Sequence, residues 1–389
     1  MVSKWQKVKL GDVCEISSGK ASKYTKDQSG MFKVYGSNGV IGSYNEANFY
    51  RGYLVGRVGA VGSIQKITEP VWASDNTLTL VINEDLIDFD FMEHLLSTMT
   101  LANYATKTAQ PLLTQTTLKK IEVELPPLSE QRKIAAILSS VDETIKKTEA
   151  IIEQTGKVKK GLMQQLLMKG IGHTKFKKTK IGEIPEGWEV RKLNQVSTRI
   201  TEKNKGKTDR VLTISGLHGL VSQTEYFNKS VASKNIDGYY YLKKGDFAYN
   251  KSYSDGYPLG AIKMLERYPD GVVSTLYICF RINENMCKDY FRYYFESNLW
   301  NSEVSAIAPE GGRSHGLLNV GVNDFFNIFI PIPPIEEQYK ISSIIRSVEN
   351  KEKLELEKLE KLKTIKMGLM QVLLTGKVRV KVDDEVMSQ

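Results

Sequence analysis

Apolar positions follow two regimes along this chain of 389 residues. Over Leu125–Gly170 and again over Ile332–Lys377 they recur at helical steps; elsewhere they sit in short runs cut by glycine and polar turns. In the first stretch Ile134, Leu138, Val141, Ile145, Thr148, Ile152, Thr155, Lys159, Leu162 and Leu166 are spaced alternately by four and three. That is a heptad seam, apolar at its ends and polar in its middle. The second carries Ile341, Ile345, Val348, Leu359, Leu362, Leu369 and Leu373 on a comparable stripe, diluted by Glu352 and Glu355. Paired prolines bar helix upstream of each stretch, and a carboxylate follows in the first turn, where the helix dipole favours it. At ~1.5 Å per residue, roughly 42 residues make a rod of about 60 Å.

The two stretches are copies. At a constant offset of 207 and without gaps, 18 of 46 positions are identical, among them Pro126/Pro333, Pro127/Pro334, Glu130/Glu337, Gln131/Gln338 and the GLMQ that begins at Gly161 and Gly368. Two separate surface helices would satisfy the stripe, but helices this long with charged outer faces favour pairing with each other. Chain order makes that pair antiparallel, which predicts two heads related by an approximate two-fold axis.

The expected organisation is a globular head over 1–125, a helical spacer over 126–170, a linker over 171–187, a second head over 188–331, a second spacer over 332–377 and a tail over 378–389. The linker follows from five lysines and no acid in Lys169–Lys180, then turn formers in Gly182–Gly187. The heads begin alike, with Trp5 and Leu10 spaced as Trp188 and Leu193 are, yet their interiors differ and the second is longer by 24 residues. Strands are expected at Tyr53–Val55, Ser63–Ile67, Thr77–Ile82 and Val272–Ile282, and helices at Phe89–Met99 and Tyr290–Leu299. The fold class is therefore mixed α/β: two globular heads separated by two long antiparallel helices in a coiled coil.

Composition sets the class of partner. Hydrophobic residues make up 41% and charged residues 25%, within the globular range. The longest apolar run, near Gly271–Phe280, is about half a membrane span, and Met1–Leu10 has no apolar core of a signal peptide, so a cytoplasmic protein without membrane contact is expected. Cys14, Cys279 and Cys287 form no CxxC pair and four scattered histidines form no ligand cluster, so reduced structural thiols and no metal follow. The net charge of +9 points toward a polyanion.

No catalytic constellation stands up. Gly56-Arg57-Val58-Gly59-Ala60-Val61-Gly62 has the spacing GxxGxxG, and the strand pattern after it leaves no helix for a nucleotide loop. A hairpin turn presenting Arg57 fits better. Gly206-Lys207-Thr208 lacks the upstream glycine of an ATP motor. A nuclease pairing of Pro269-Asp270 with Glu349-Asn350-Lys351 spans about 80 residues and two elements. What remains are basic, polar turns with aromatics beside them, the makeup of a surface that tracks phosphates and reads bases. In the first head these hold Lys20, Lys23, Tyr24, Arg57, Lys107 and Gln110. In the second they hold Lys203, Lys205, Lys207, Lys251, Tyr253, Arg313 and His315. Each alone suits a solvated loop as well as a base contact; together they favour DNA. Arginine can pair with guanine and glutamine with adenine, whereas lysine mostly holds phosphate.

The duplicated [LI]PP[LI]xEQ leading into a helix that ends GLMQxLL resembles the specificity subunit of type I restriction–modification systems. The linker around Gly182-Glu183-Ile184-Pro185, the segment Val34–Gly39 and the turn Gly56–Gly62 carry the same resemblance, which extends over the whole chain. One departure is Lys377 where the first repeat has Gly170. The resemblance implies a non-catalytic subunit with two target-recognition domains, each reading half of a split, asymmetric site on double-stranded DNA, with the helices setting the gap. It also implies two docked adenine-N6 methyltransferase subunits using S-adenosylmethionine, and two restriction subunits using ATP and Mg, with no cofactor in this chain. The rival readings are a coiled-coil adapter that does not bind DNA and a stand-alone nuclease.

Overall fold

A computed structural model of the chain describes residues 4–21, 24, 26, 29–216, 218–227, 235–252, 256–308 and 318–381. The long helices run over Leu128–Lys169 and Ile335–Leu373. The chain divides into two compact units, Met1–Ala150 with Leu356–Gln389, and Ile151–Glu355. Each unit is a head together with half of each long helix.

Within each unit the half-helices pair antiparallel, as the chain order requires. In the first, Lys366 pairs with Asp142 and Lys363 with Glu149; in the second, Lys159 pairs with Glu352. The heptad positions turn inward. Ile134, Leu138, Thr148, Leu359 and Leu373 are buried in the first unit, and Thr155, Leu166, Ile341 and Ile345 in the second. Thr148 is tolerated there because its hydroxyl donates to Thr144 O, 2.9 Å away. The apolar seam ends do more than join helix to helix: Ile134 and Leu138 belong to one core with Leu10, Val13 and Leu373, and Leu166 and Ile341 to another with Trp188 and Phe280.

The repeated Glu-Gln pair seats each helix on its head. Gln131 is buried; its amide donates to Pro126 O (2.9 Å) and Leu86 O (3.1 Å), while its oxygen accepts from Asp88 N (2.8 Å). Gln338 does the same with Pro333 O (2.9 Å) and Cys287 N (3.0 Å). One side chain thus ties the proline corner to the start of the head's own helix. The neighbouring glutamate grips the chain that leaves the opposite helix. Glu337 accepts from Trp188 Nε1 (2.9 Å), Ile171 N (3.0 Å) and His173 Nε2 (2.8 Å). Glu130 accepts both arms of Arg379 (2.8 and 2.7 Å) and Val380 N (3.3 Å).

The mismatch at Gly170 and Lys377 resolves at the same place. Gly170 and Gly376 both take left-handed backbone, φ 65° and 69°, and each lies under a tryptophan, Trp188 and Trp5 respectively. The second copy therefore makes its helix-ending turn one residue earlier, with Gly376 in the role of Gly170.

The heads share a fold that their sequences hide. Each holds a four-stranded antiparallel sheet: Cys14–Ser18, Thr77–Ile82, Gly52–Gly56 and Ile64–Ile67 in that spatial order, and Ser197–Ile200, Ile278–Ile282, Phe247–Asn250 and Ala261–Met264 in the other. Tyr53 and Val55 face the core shared with the long helices, and Leu54 faces a second core under the hairpin Phe32–Gly36/Gly39–Tyr44. Phe247, Tyr249 and Ala248 divide in the same way. Alternation is kept while every residue differs. Each head is closed where it meets its helices, Gln6–Lys9 pairing with Glu122–Leu125 and Glu189–Lys192 with Phe329–Ile332.

Two expectations need correcting. The run Val272–Ile282 is two strands, Asp270–Val273 and Ile278–Ile282, in different sheets, because Ser274–Tyr277 closes a turn. The stretch read as a linker folds as a hairpin, Phe176–Thr179 against Gly182–Pro185, with Ile184 buried in the core.

Burial alone would raise the Glu130 carboxyl, but Arg379 and the Val380 N–H outweigh it and hold the group below the ordinary carboxylate range. A depressed carboxyl contributes stability above its unfolded pKa of about 4.3 and loses it as pH falls through the folded value. Arg379→Ala is therefore expected to lower the thermal unfolding midpoint at pH 7, with the gap from wild type shrinking as melts are recorded at pH 4 and below.

Candidate nucleic-acid interface

An antiparallel sheet delivers the loops after alternate strands to one edge. In the first head Cys14–Ser18 and Gly52–Gly56 both finish at the edge where Thr77–Ile82 begins, since Ser18 pairs with Leu78 and Gly56 with Thr77. Lys20 follows the first of these strands and Arg57 the second. Lys20 N donates to Ala73 O (2.9 Å), and its carbonyl accepts from Trp72 Nε1 (2.8 Å). Arg57 is gripped from both sides, its N–H donating to Asn76 O (2.9 Å) and its carbonyl accepting from Leu113 N (3.0 Å). Leu112 is bonded back to Thr106, so exposed Lys107 and Gln110 cap a closed loop that leads into Arg57's partner. Residues from Lys20 to Gln110, far apart along the chain, thus meet at one sheet edge. Tyr24 is exposed in the same segment as Lys20; Lys23 lies outside the described residues.

The second head repeats this edge. Ser197–Ile200 and Phe247–Asn250 end where Ile278–Ile282 begins, through Ile200 opposite Cys279 and Tyr249 opposite Ile278. Lys203, Lys205 and Lys207 follow the first strand and Lys251 the second. Lys251 O accepts from Leu318 N (2.9 Å), the counterpart of the bond from Leu113 to Arg57. Arg57 and Lys251 therefore occupy the same place in the two heads. Tyr253, Arg313 and His315 lie outside the described residues.

The side chains differ in how free they are. Lys203 Nζ donates to Gly238 O (2.9 Å) and sits over Tyr240, while Lys207 pairs with Glu202 and lies over Tyr241. Both lysines are committed to their own loop. Lys205 is exposed, with left-handed backbone at φ 46°. Lys251 Nζ reaches Val320 O at 3.3 Å. Arg57 faces no carboxylate among the described residues, and its Nε is buried without a hydrogen-bond partner. Gln65 Oε1 and Ser74 Oγ are likewise buried and without a hydrogen-bond partner among the described residues. Unmet polar groups of this kind are costly unless ordered water or a ligand meets them. The turn that carries Arg57 is tight: a Cβ on Gly56 would lie 2.1 Å from Ala60 O, and one on Gly62 2.7 Å from Ala102 N.

Catalytic chemistry finds no footing among these residues. Asp270 is held by Arg210 (3.0 Å) and Tyr241 (3.3 Å), whereas Glu349 is held by Arg292 (2.7 Å) and Tyr293 (2.9 Å), so each carboxylate has its own structural partners. The cysteines are buried and unbridged. Burial pushes the Cys14 thiol up to about 12 and the Cys279 thiol further, far from a reactive thiolate. Among the described residues no group of three or more His, Cys, Asp or Glu could hold a metal, and no helix is long and apolar enough to cross a membrane.

Lys263 gives little away in the sequence, where it is a lone lysine within Ala-Ile-Lys-Met. Only the packed sheet shows that it is largely buried and without an ion-pair partner among the described residues.

Comparison with known proteins agrees with this architecture. The family model described as the type I restriction modification DNA specificity domain matches residues 2–155 and 185–367. The type I restriction enzyme MjaVIII specificity subunit of Methanocaldococcus jannaschii is 31% identical over 289 residues, 70% of this chain and 66% of that protein. The crystal structure of the type I restriction-modification S subunit from M. genitalium superposes with a TM-score of 0.61 at 15% identity, over 96% of both chains. A chain from a structure on complex assembly and conformational transition of the type I R-M system gives 0.55 at 17% identity, over 97% of this chain and all of that one. With two heads of one fold, a duplicated helical frame and a family match over most of its length, the chain belongs to the type I restriction–modification DNA specificity family, as a non-catalytic DNA specificity subunit.

Proposed function

We propose that each head reads one half of a split, asymmetric site on double-stranded DNA through the sheet edge that gathers its basic loops. The observation that carries this is the convergence itself: two heads of one fold but dissimilar sequence place a cation at one structural position, Arg57 and Lys251, held by the same backbone bond. Arg57 is the base reader. Its backbone is fixed, no carboxylate among the described residues claims its guanidinium, and a planar fork matches the two acceptors of guanine in the major groove. Lys251 is a point charge and holds a phosphate. The loops with Lys20 and Lys107 follow the backbone beside them, and Lys205 does so in the second head.

The repeated frame serves partners that are themselves repeated. One seat made twice suits two copies of an adenine-N6 methyltransferase subunit with S-adenosylmethionine, and two restriction subunits with ATP and Mg, acting together in the cytoplasm. The chemistry belongs to those subunits. The continuous helices set the number of unread base pairs between the half-sites.

Arg57→Ala should weaken specific binding by about 1–3 kcal/mol and relax one base position in one half-site only, read by methylome sequencing of cells carrying the complex. Lys251→Ala should weaken all duplexes alike and reduce the log–log salt slope by about 0.9. Insertion of one helical turn into both long helices should lengthen the unread spacer and leave both half-sites intact. Changed half-sites would refute the role given to the helices, and a salt slope near zero would refute DNA reading altogether.

A further inference from the structure

Lys263 lies in the strand Ala261–Met264 and is 8% exposed. No carboxylate pairs with it among the described residues, and its ammonium has only the Tyr257 ring, 5.3 Å from Nζ. The stem of Lys263 is packed in the sheet while its ammonium opens into a cavity, so it is placed to meet an anion from outside the chain.

The first head shows what the equivalent position does when it serves the fold. Leu54 pairs with Gln65 and Thr79; Ala248 pairs with Lys263 and Cys279. Gln65 and Lys263 are therefore counterparts. The Gln65 amide donates to Gly36 O (3.2 Å) and Ser37 O (3.3 Å), holding the turn of the hairpin Phe32–Gly36/Gly39–Tyr44. The second head has the matching hairpin, Leu212–Ser215/Gly219–Ser222, with Gly219 at φ 74° where the first has Gly39 at φ 107°. There the turn is held by Tyr257, whose hydroxyl donates to Gly216 O at 2.7 Å. Tyr257 has taken over the structural role, which leaves Lys263 without one.

Lys263 lines a cavity of about 490 Å³ between that turn and the first long helix. The carboxylates of this cavity, Glu266, Glu296 and Glu349, are gathered on Arg292, and Lys159 is paired with Glu352. Lys160, His218 and Lys263 remain without an anionic partner among the described residues, the first two exposed at the rim and the third buried.

We propose that this cavity binds a phosphate of the DNA backbone, with Lys263 as its buried anchor and Lys160 and His218 at its mouth. The inference rests on the DNA-reading function and adds to the sheet edge a second, sequence-independent hold at a position where the first head has the neutral Gln65. A compact phosphate suits a point-charge ammonium, and Lys263, Lys160 and His218 are the lining groups that no carboxylate claims among the described residues.

The test uses the full-length chain, a random-sequence 40-bp duplex and inorganic phosphate. Lys263→Gln installs the residue of the first head. It should weaken duplex binding several-fold, lower the log–log salt slope by about 0.9, and leave the unfolding midpoint unchanged or raised, because an uncompensated charge has gone. Lys263→Arg should keep most of the affinity. An unchanged slope and affinity in Lys263→Gln would overturn the proposal, as would a lowered midpoint with unchanged affinity, which marks a structural lysine. If the wild-type chain binds no duplex, the DNA reading itself fails. If inorganic phosphate then raises the wild-type midpoint but not that of Lys263→Gln, the site takes free phosphate and the DNA assignment is wrong.

Discussion

A proline corner turns one backbone carbonyl inward, Pro126 O in one half and Pro333 O in the other, and a buried glutamine five residues on donates to each. Gln131 and Gln338 bond the corner and also accept the N–H of the residue that caps the adjoining head helix, Asp88 or Cys287, so the long helix, the closing strand and the head are fixed together. Glutamate, one residue earlier, enjoys the dipole at the helix start while its carboxylate holds the chain leaving the opposite helix. Removing either function would leave buried polar groups unmet, which is far more costly than the bonds themselves are stabilising. The helices can therefore tolerate polar seams, with Thr148, Thr155 and Glu352 in place of apolar knobs, because their ends are anchored in the head cores rather than by helix pairing alone.

Within each head, what gathers the basic loops is sheet topology and not sequence proximity. Loops that follow alternate strands of an antiparallel sheet share an edge whatever their composition, so the edge can be rewritten without disturbing the frame. Arg57 and Lys251 show how this operates: one backbone bond and one strand end, but a planar fork in one head and a point charge in the other. The same freedom appears at Gln65 and Lys263, where transfer of one structural hydrogen bond to Tyr257 releases a neighbouring position. Two readers of one fold thereby become chemically unlike.

Much of the frame is legible in the chain itself. The 207-residue offset, the heptad stripe and the proline pairs locate both long helices and their pairing, since a helical period sustained over so many residues fits little besides a long helix. The basic turns are recognisable as a set, and the glycine-rich segment around Arg57 as a hairpin. Less is legible inside the heads. Tyr53-Leu54-Val55 and Phe247-Ala248-Tyr249 share no residue, yet they are the same strand, because a sheet constrains which face a residue takes and not which residue it is. Lys203 and Lys207 look like free cations and are occupied by Gly238 and Glu202, partners that a loop's sequence does not reveal.

The chain's own order of residues determined the duplicated frame, the antiparallel return and the polyanionic partner, because periodicity, repetition and net charge are properties of a string. Only the tertiary structure decided that the heads are alike, which cations are uncommitted, and that Lys263 has no ion-pair partner among the described residues. Those are facts about which atoms are neighbours across a sheet, and residues far apart along the chain become neighbours only when the hydrophobic faces close.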